Sequence, residues 1–218
     1  MKTTLRNELW LVAIVAIPFI YLIVIWNALP ENVPVHWNLE GEIDRYGSRA
    51  TLWMIPILLP LLTYLTFLFA PLMDKKGHLG KMGANYNRLK FSVVLFTAVL
   101  ASYILFAARE QTMSLPSMIP GLIGLLFAVL GNYFPVLKQN IYIGIKTPWT
   151  LKSEMVWDKT HRLAGRYWFF GGLIIVVSSL FLDHSMTVTV LLVVTTVIAI
   201  VPIVYSYISY KKTVDKIE

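Results

Sequence analysis

Long apolar runs alternate with short polar segments along this chain. Each run is close to the roughly 20 residues that an α-helix needs to cross a hydrocarbon core of about 30 Å. No Asp, Glu, Lys, Arg or His occurs in any run. The pattern predicts an all-α polytopic bundle of six transmembrane helices, over Leu9–Ala28, Thr51–Met73, Phe91–Ala108, Met118–Leu137, Tyr167–Leu182 and Met186–Tyr210.

The third and fifth runs are short, so we expect their helices to include flanking residues. Within the second run, Pro56 and Pro60 lie four residues apart. Proline removes a backbone donor and bends a helix, so a bend with unbonded carbonyls is expected there.

The composition excludes a large soluble domain. Of 218 residues, 57% are hydrophobic and only 14% are charged, which is far too apolar for a soluble fold. We divide the chain into three parts, each with two helices. Residues 1–73 contain the first two helices and an outer loop (29–50), and residues 74–137 contain a basic inner loop (74–90) and the next two helices. Residues 138–218 contain an inner loop (138–166) and the last two helices.

The cations predict the orientation. Sixteen of the nineteen Lys and Arg residues lie in segments that face the same side of the membrane: the segment before the first helix, the loops after the second and fourth helices, and the tail. The exceptions are Arg45, Arg49 and Arg109. Cytoplasmic loops are enriched in Lys and Arg, so both termini are predicted to be cytoplasmic. This distribution and attraction to anionic membrane lipids account for the net charge of +7, so no direct nucleic-acid binding is predicted.

The polar segment Asn140–Gly165 contains residue types with specific geometry. Thr147 is a suitable N-cap and Pro148 suits the first helical position, so a turn followed by a helix that continues into the fifth span is predicted. Before it, Asn140 and Gly144 are interpreted as loop-shaping residues.

On that helix, Glu154, Asp158 and His161 fall on one face. Such a face could bind a divalent metal, relay protons, contact a basic partner or simply be solvated. The spacing matches no established zinc pattern. The predicted site therefore includes no metal and no cofactor, with the metal kept as an alternative.

The second polar segment, Val33–Arg49, is acidic. Its surrounding loop carries a net charge of −2 from Glu31, Glu40, Glu42 and Asp44 against Arg45 and Arg49. Pro30 and Pro34 predict extended backbone, and Gly41 and Gly47 predict turns. The loop could attract a cationic peptide. Alternatively it is a folded connector in which His36 hydrogen-bonds an Asp or a backbone group, or His36 binds a metal with Glu40 and Asp44.

Both segments carry a family resemblance. VPVHWNLEGEIDRYGS resembles a domain of unknown function with a P-x-H-W core that precedes the second span of SdpI-type membrane proteins. GNYFPVLKQNIYIGIKTPWTLKSEMVWDKTHRLAG resembles the signature of the same family, N-x-x-x-G-[RK]-T-P-W-T followed by W-x-x-x-H. The resemblance covers nearly the whole chain.

The resemblance implies a bacterial inner-membrane immunity protein. Such proteins protect a bacterium from a secreted sporulation-delaying peptide toxin, and they signal by holding a transcriptional repressor at the membrane. The toxin-facing residues implied here are Pro34, His36, Trp37, Glu40, Gly41, Glu42 and Asp44. The inner, partner-facing or signature residues are Asn140, Gly144, Lys146, Thr147, Pro148, Thr150, Glu154, Trp157, Asp158 and His161. Lys146 stands where relatives often carry Arg, which keeps the charge and loses the bidentate fork.

Two other classes of function stay open. A transporter or channel is possible in a polytopic chain, although apolar runs without ionisable residues disfavour ion coupling. A membrane enzyme, whether metal-dependent or not, would have to draw on Glu154, Asp158 and His161 or on His36 and Asp44. No nucleophile–base spacing stands out, so we predict no catalytic residues.

Overall fold

Six long helices dominate the computed structural model, which describes residues 5–38, 40–74, 77–110 and 118–214. The stretches long and apolar enough to cross a membrane are Arg6–Ala28, Arg49–Met73, Ala84–Glu110, Met118–Val136, Glu154–Phe181 and His184–Thr213, called spans 1 to 6. The predicted bundle is confirmed, and spans 3 and 5 extend into flanking residues as expected. Of the cations used above, Lys2, Lys75, Lys76 and Lys216 lie outside the described residues.

Most spans are single regular helices, and two end in a 3-10 turn. The α-helices are Leu5–Ile25 in span 1, Ala84–Glu110 in span 3, Met118–Tyr133 in span 4, Glu154–Phe181 in span 5 and His184–Val214 in span 6. The 3-10 turns Trp26–Ala28 and Phe134–Val136 close spans 1 and 4, and a third, Gly80–Met82, precedes span 3. Because the number of spans is even, Leu5 and Val214 lie at the same end of the bundle, which we call the termini side.

Span 2 is irregular where the prolines predict a bend. It begins as a 3-10 helix (Arg49–Trp53), continues as one α-turn (Met54–Pro56), widens into a π-helix (Ile57–Leu61) and ends as an α-helix (Leu62–Met73). Pro60 lies inside the π-helical turn. Because proline cannot donate the normal helical hydrogen bond, a locally wider turn accommodates it.

A two-stranded hairpin joins spans 1 and 2 on the opposite side of the bundle. Strand β1 (Asn32–Trp37) pairs antiparallel with β2 (Ile43–Ser48), and the register is irregular between Pro34 and Trp37. The extended backbone predicted from Pro30 and Pro34 is confirmed, while the pairing of the two strands was not predicted. We refer to residues 32–48 as the hairpin.

Between spans 4 and 5 the inner segment forms two helices. The short helix Pro148–Lys152 ends at Ser153, whose backbone is extended (φ −140°, ψ 118°). The Ser153 hydroxyl then accepts a hydrogen bond from the Val156 amide at 3.3 Å and caps span 5. The prediction of one continuous helix from Pro148 is therefore wrong, because a serine inside the segment starts a new helix.

Spans 4 and 5 touch through their backbones. A methyl group added at Gly131 would lie 2.8 Å from the Gly165 carbonyl oxygen, and one added at Gly165 would lie 2.8 Å from the Gly131 carbonyl oxygen. A Cβ atom added at Gly124 would lie at the same distance from the Gly172 carbonyl oxygen, about two helical turns from Gly131. Small residues permit this close approach of membrane helices.

The helices carry ionisable residues just beyond the apolar runs. Glu8 of span 1 pairs with Lys90 of span 3, and Lys90 is only 3% exposed. The Tyr64 hydroxyl of span 2 donates to the second Glu8 oxygen at 3.0 Å. The charge-free runs of the sequence therefore understate the polar content of the spans, since the helices are longer than the runs.

Candidate functional site

Asn140 organises the loop that follows span 4. Its side-chain oxygen accepts hydrogen bonds from the amides of Tyr142 and Ile143, both at 2.7 Å. Its side-chain nitrogen donates to the carbonyls of Lys138 at 2.7 Å and Ile143 at 3.1 Å. The residue is 2% exposed. The predicted loop-shaping role is confirmed, because one buried side chain satisfies four backbone groups that would otherwise be unpaired.

Gly144 lies at the point where this loop meets span 5. Its φ is +117°, a conformation that side chains rarely adopt. A Cβ atom there would lie 2.5 Å from His161 Nε2 and 3.1 Å from the Trp157 ring. Both the backbone conformation and the space therefore require glycine; the predicted role rested on backbone freedom alone.

His161 holds the loop against span 5. Its Nδ1 donates to the Trp157 carbonyl at 2.8 Å, one helical turn earlier, and its Nε2 accepts from the Ile145 amide at 3.0 Å. The imidazole stacks on the Trp157 ring with 4.0 Å between centroids. Only a neutral imidazole can donate through one nitrogen and accept through the other. His161 is therefore a neutral, buried bridge with both nitrogens occupied.

Trp157 adds a second hydrogen bond to the same junction. Its indole nitrogen donates to the Leu137 carbonyl at 2.8 Å, and the side chain is fully buried. It packs in an apolar cluster with Tyr86 of span 3 and Phe134 at the end of span 4. The loop, span 5 and the ends of spans 3 and 4 are thus joined at one indole ring.

Two threonines connect the short helix to span 6. Thr147 and Thr150 form a reciprocal capping box, as Thr147 was predicted to cap. The Thr147 hydroxyl also lies 3.0 Å from the Ser206 hydroxyl of span 6, and the Thr150 hydroxyl donates to the Ile145 carbonyl at 2.8 Å. We call Asn140, Gly144, Thr147, Thr150, Trp157 and His161 the signature cluster.

The other predicted inner residues are nearer the surface. Lys146, Pro148 and Glu154 are exposed and Asp158 is half-buried. The Lys146 ammonium donates to the carbonyls of Ile141 at 3.2 Å and Tyr142 at 3.4 Å, so this cation also closes the loop. The exposed surface around the cluster is basic, through Lys138, Lys146, Lys152, Lys159, Arg162 and Arg166.

The three residues of the predicted face differ in burial: Glu154 is exposed, Asp158 is half-buried and His161 is buried. Among the described residues, no three His, Asp or Glu side chains meet as possible ligands of one metal ion. His161 also has no nitrogen left to act as a base. The geometry thus gives no support to the alternative of a metal centre or catalytic base at this face.

The hairpin presents its polar groups to solvent. His36 Nδ1 lies 2.6 Å from Asp44 Oδ1 across the strands, and both side chains are about half exposed. The hydrogen bond between His36 and an Asp, expected for a folded connector, is confirmed. Glu40 and Glu42 are also exposed, whereas Pro34 is buried and Trp37 half-buried.

The hairpin turn is shaped locally. The Asn38 side-chain oxygen accepts from the amides of Glu40 at 3.1 Å and Glu42 at 2.8 Å. Gly41, with φ +84°, supports the turn and packs against the His184 ring at the start of span 6. The acidic residues therefore project from a fixed turn, at the end of the bundle away from the signature cluster.

Three structural residues were missed by the sequence reasoning. Arg49 donates to the carbonyls of Trp26 and Leu29, both at 3.4 Å, and lies 5.0 Å above the Trp26 ring, which fastens the hairpin base to span 1. The location of Arg49, a cation on the side of the membrane with few cations, could have identified it as a structural residue. Gln139, which donates to the Thr150 carbonyl at 2.7 Å, and Ser206 gave none, because a lone polar residue is common in such segments.

Comparison with known proteins agrees with this geometry. Residues 136–206, which include the signature cluster, match the model of the SdpI/YfhL protein family. Residues 13–59, which include the hairpin, match the Domain of unknown function (DUF1648). The predicted resemblance to the SdpI-type family is confirmed.

The SdpI-type similarity also extends along the chain. The Immunity protein SdpI of Bacillus subtilis (strain 168) is 26% identical over 209 residues, covering 95% of this chain and 98% of that protein. An uncharacterized protein of Archaeoglobus fulgidus is 38% identical over 55 residues, covering 25% of this chain and 28% of that protein. No solved structure matches. Together with the six spans, these similarities identify a multi-pass membrane protein with homology to an immunity protein.

Proposed function

We propose that this protein protects a bacterial cell from a secreted antibacterial peptide of the sporulation-delaying type. The observation that carries the proposal is the similarity to an immunity protein over almost the full length of both chains. The two matched family regions contain the two predicted site segments, one on each side of the bundle. In this proposal the chain spans the cytoplasmic membrane with both termini inside, in accordance with the distribution of Lys and Arg.

The hairpin is the proposed toxin-facing element. Glu40, Glu42 and Asp44 project from it and are exposed, so a cationic peptide approaching the membrane meets negative charge first. Tyr46, 57% exposed, and the half-buried Trp37 add aromatic surface beside that charge. Aromatic residues are enriched in protein–protein interfaces, whose rims are polar.

The termini side is the proposed signalling face. Its exposed cations, among them Lys146, Lys152 and Lys159, suit an acidic surface on a cytoplasmic repressor. The signature cluster contributes indirectly, because it fixes the loop that carries Lys146 and the short helix that carries Lys152. This assigns partner contact to the exposed lysines and a positioning role to Trp157 and His161.

The first test is survival of a sensitive bacterial strain challenged with a sporulation-delaying-type peptide, with and without this protein in its membrane. Protection is the expected result. A hairpin variant and a cluster variant, each verified to insert, then separate toxin contact from positioning. No protection by the inserted wild-type chain would contradict the immunity proposal and direct attention to solute flux in proteoliposomes.

A further inference from the structure

A cavity of about 380 Å³ opens on the termini side between the ends of spans 1, 3 and 4. Its polar wall includes Glu8, Asn87, Arg88 and Lys90, and its apolar wall includes Trp10 and Phe91. It is separate from both the signature cluster and the hairpin. Neither the family resemblance nor the proposed function uses it.

The polar groups of this cavity are not equally satisfied. Glu8 and Lys90 form an ion pair, and the Tyr64 hydroxyl donates a hydrogen bond to the second oxygen of the Glu8 carboxylate. Ser92 and Tyr133, which also line the cavity, bond each other at 2.9 Å. Among the described residues, the buried side-chain oxygen of Asn87 has no hydrogen-bond partner. Buried acceptors are rarely left unpaired, so a rotation of the half-buried Asn87 side chain toward the cavity would let this oxygen accept from a donor of an occupant.

Arg88 supplies the complementary charge. Its side chain is exposed, adjacent to Asn87 in sequence, and it has no ion-pair partner among the described residues. A guanidinium binds phosphate well, since its planar donors match two phosphate oxygens. The cavity thus offers a site for an anion and, beside it, an acceptor for a donor group.

The position of the cavity indicates an amphiphilic occupant. Trp10 is 63% exposed and Phe91 43% exposed, on a surface that faces the bilayer where the charged helix ends give way to the apolar runs. Aromatic residues at this level mark the membrane–water interface. An occupant there can keep its polar end at Arg88 while its apolar part remains in the hydrocarbon.

We propose that this cavity binds the headgroup of a phospholipid that carries a hydrogen-bond donor beside its phosphate. Arg88 binds the phosphate, and Asn87 accepts from an ammonium or hydroxyl group of the same headgroup. Phosphatidylethanolamine and phosphatidylglycerol both meet this description. Phosphatidylcholine does not, because its nitrogen is fully methylated and has no N–H to donate.

Native mass spectrometry of the purified full-length chain, titrated with each of the three lipids, tests the proposal. Phosphatidylethanolamine and phosphatidylcholine have the same net charge, so their comparison isolates the donor. We expect about three- to tenfold tighter binding of phosphatidylethanolamine, the effect of roughly one additional hydrogen bond. Equal binding of these two lipids would overturn the proposal, and so would a preference for phosphatidylglycerol alone, which would indicate net charge only.

Variants assign the effect to residues. Asn87→Leu should remove the preference for phosphatidylethanolamine over phosphatidylcholine. Asn87→Asp keeps an acceptor oxygen at this position and should retain the preference, and it also controls for the effect of substitution on folding. Arg88→Gln should weaken the binding of all three lipids. Arg109→Gln, at the other end of the same span and 45% exposed at its side chain, is the matched control and should change nothing. A preference that survives in Asn87→Leu would contradict the assignment.

Discussion

The signature cluster and the hairpin begin as the same kind of sequence, a short polar segment between apolar runs, and the fold uses them in opposite ways. In the cluster, Asn140 and His161 are at most 2% exposed and direct their hydrogen bonds inward. In the hairpin, His36 and Asp44 bond each other in the open and leave their remaining capacity to solvent. A polar residue type in a membrane protein therefore does not by itself distinguish a contact surface from a buried junction; its neighbours do.

Removal of the central ring of the cluster tests this contrast most strongly. We expect Trp157→Ala to lower the free energy of unfolding by about 4 kcal/mol, because a buried tryptophan leaves both a cavity and an unpaired Leu137 carbonyl. Insertion should persist, since the six apolar runs are unchanged, while signalling is lost. Thermal unfolding in detergent, with membrane fractionation, measures both effects.

The matched control is Trp10→Ala. Trp10 is 63% exposed, so its removal should cost little stability. If both tryptophan variants unfolded at the same temperature, Trp157 would not have the structural role assigned to it.

The addition of a single methyl group at Gly144 is expected to have the next largest effect. Gly144→Ala places a side chain at φ +117° and 2.5 Å from His161 Nε2, so we expect a loss of about 3 kcal/mol from strain and overpacking. Gly80→Ala is its control, because among the described residues no atom beyond the adjacent ones lies within 4 Å of a Cβ atom at Gly80. Unfolding midpoints of the two variants give the comparison, and equal midpoints would refute the proposed tight junction.

Charge reversal tests the hairpin as a contact surface. Replacement of Glu40, Glu42 and Asp44 by Lys should reduce protection against a cationic toxin by about tenfold at low salt and by less at high salt, since screening weakens electrostatic attraction. The unfolding midpoint should hardly change, because these side chains are exposed. Equal protection at every ionic strength would remove the electrostatic part of the proposal.

The smallest effect is expected at the exposed pair. Asp44→Asn weakens the contact with His36, and because both side chains are about half exposed the loss should be at most about 0.5 kcal/mol. Protection should also fall slightly, through the loss of one negative charge. A large loss of stability in this variant would show that the hairpin, like the cluster, is a structural junction.

Much of this fold follows from apolar length alone. Six runs predict six spans because a bilayer restricts crossing segments to helices here, and Pro56 and Pro60 mark the irregular turn of span 2 because proline has a fixed local effect. The hairpin pairing was not predictable in the same way, since strand pairing depends on which segments meet. Ser153 was missed because serine caps a helix only when the local backbone is already extended.

The candidate site was predictable to a similar degree. Residue types located the two segments and assigned loop-shaping to Asn140 and Gly144, which depends on local bonding. Burial of Trp157 and His161 depends on spans 3 and 4, which lie far away in sequence. The role of the predicted residues in partner contact stays a prediction.

The glycine contacts between spans 4 and 5 limit how these two helices can move relative to each other. Gly124 and Gly131 lie against the backbone of span 5, so a slide of one helix along the other would drive side chains into main-chain atoms. Spans 4 and 5 therefore behave as one rigid unit. Under the proposed signalling role, a change at the hairpin would reach the termini side through the other helices, beginning with span 1, to which Arg49 links the hairpin base.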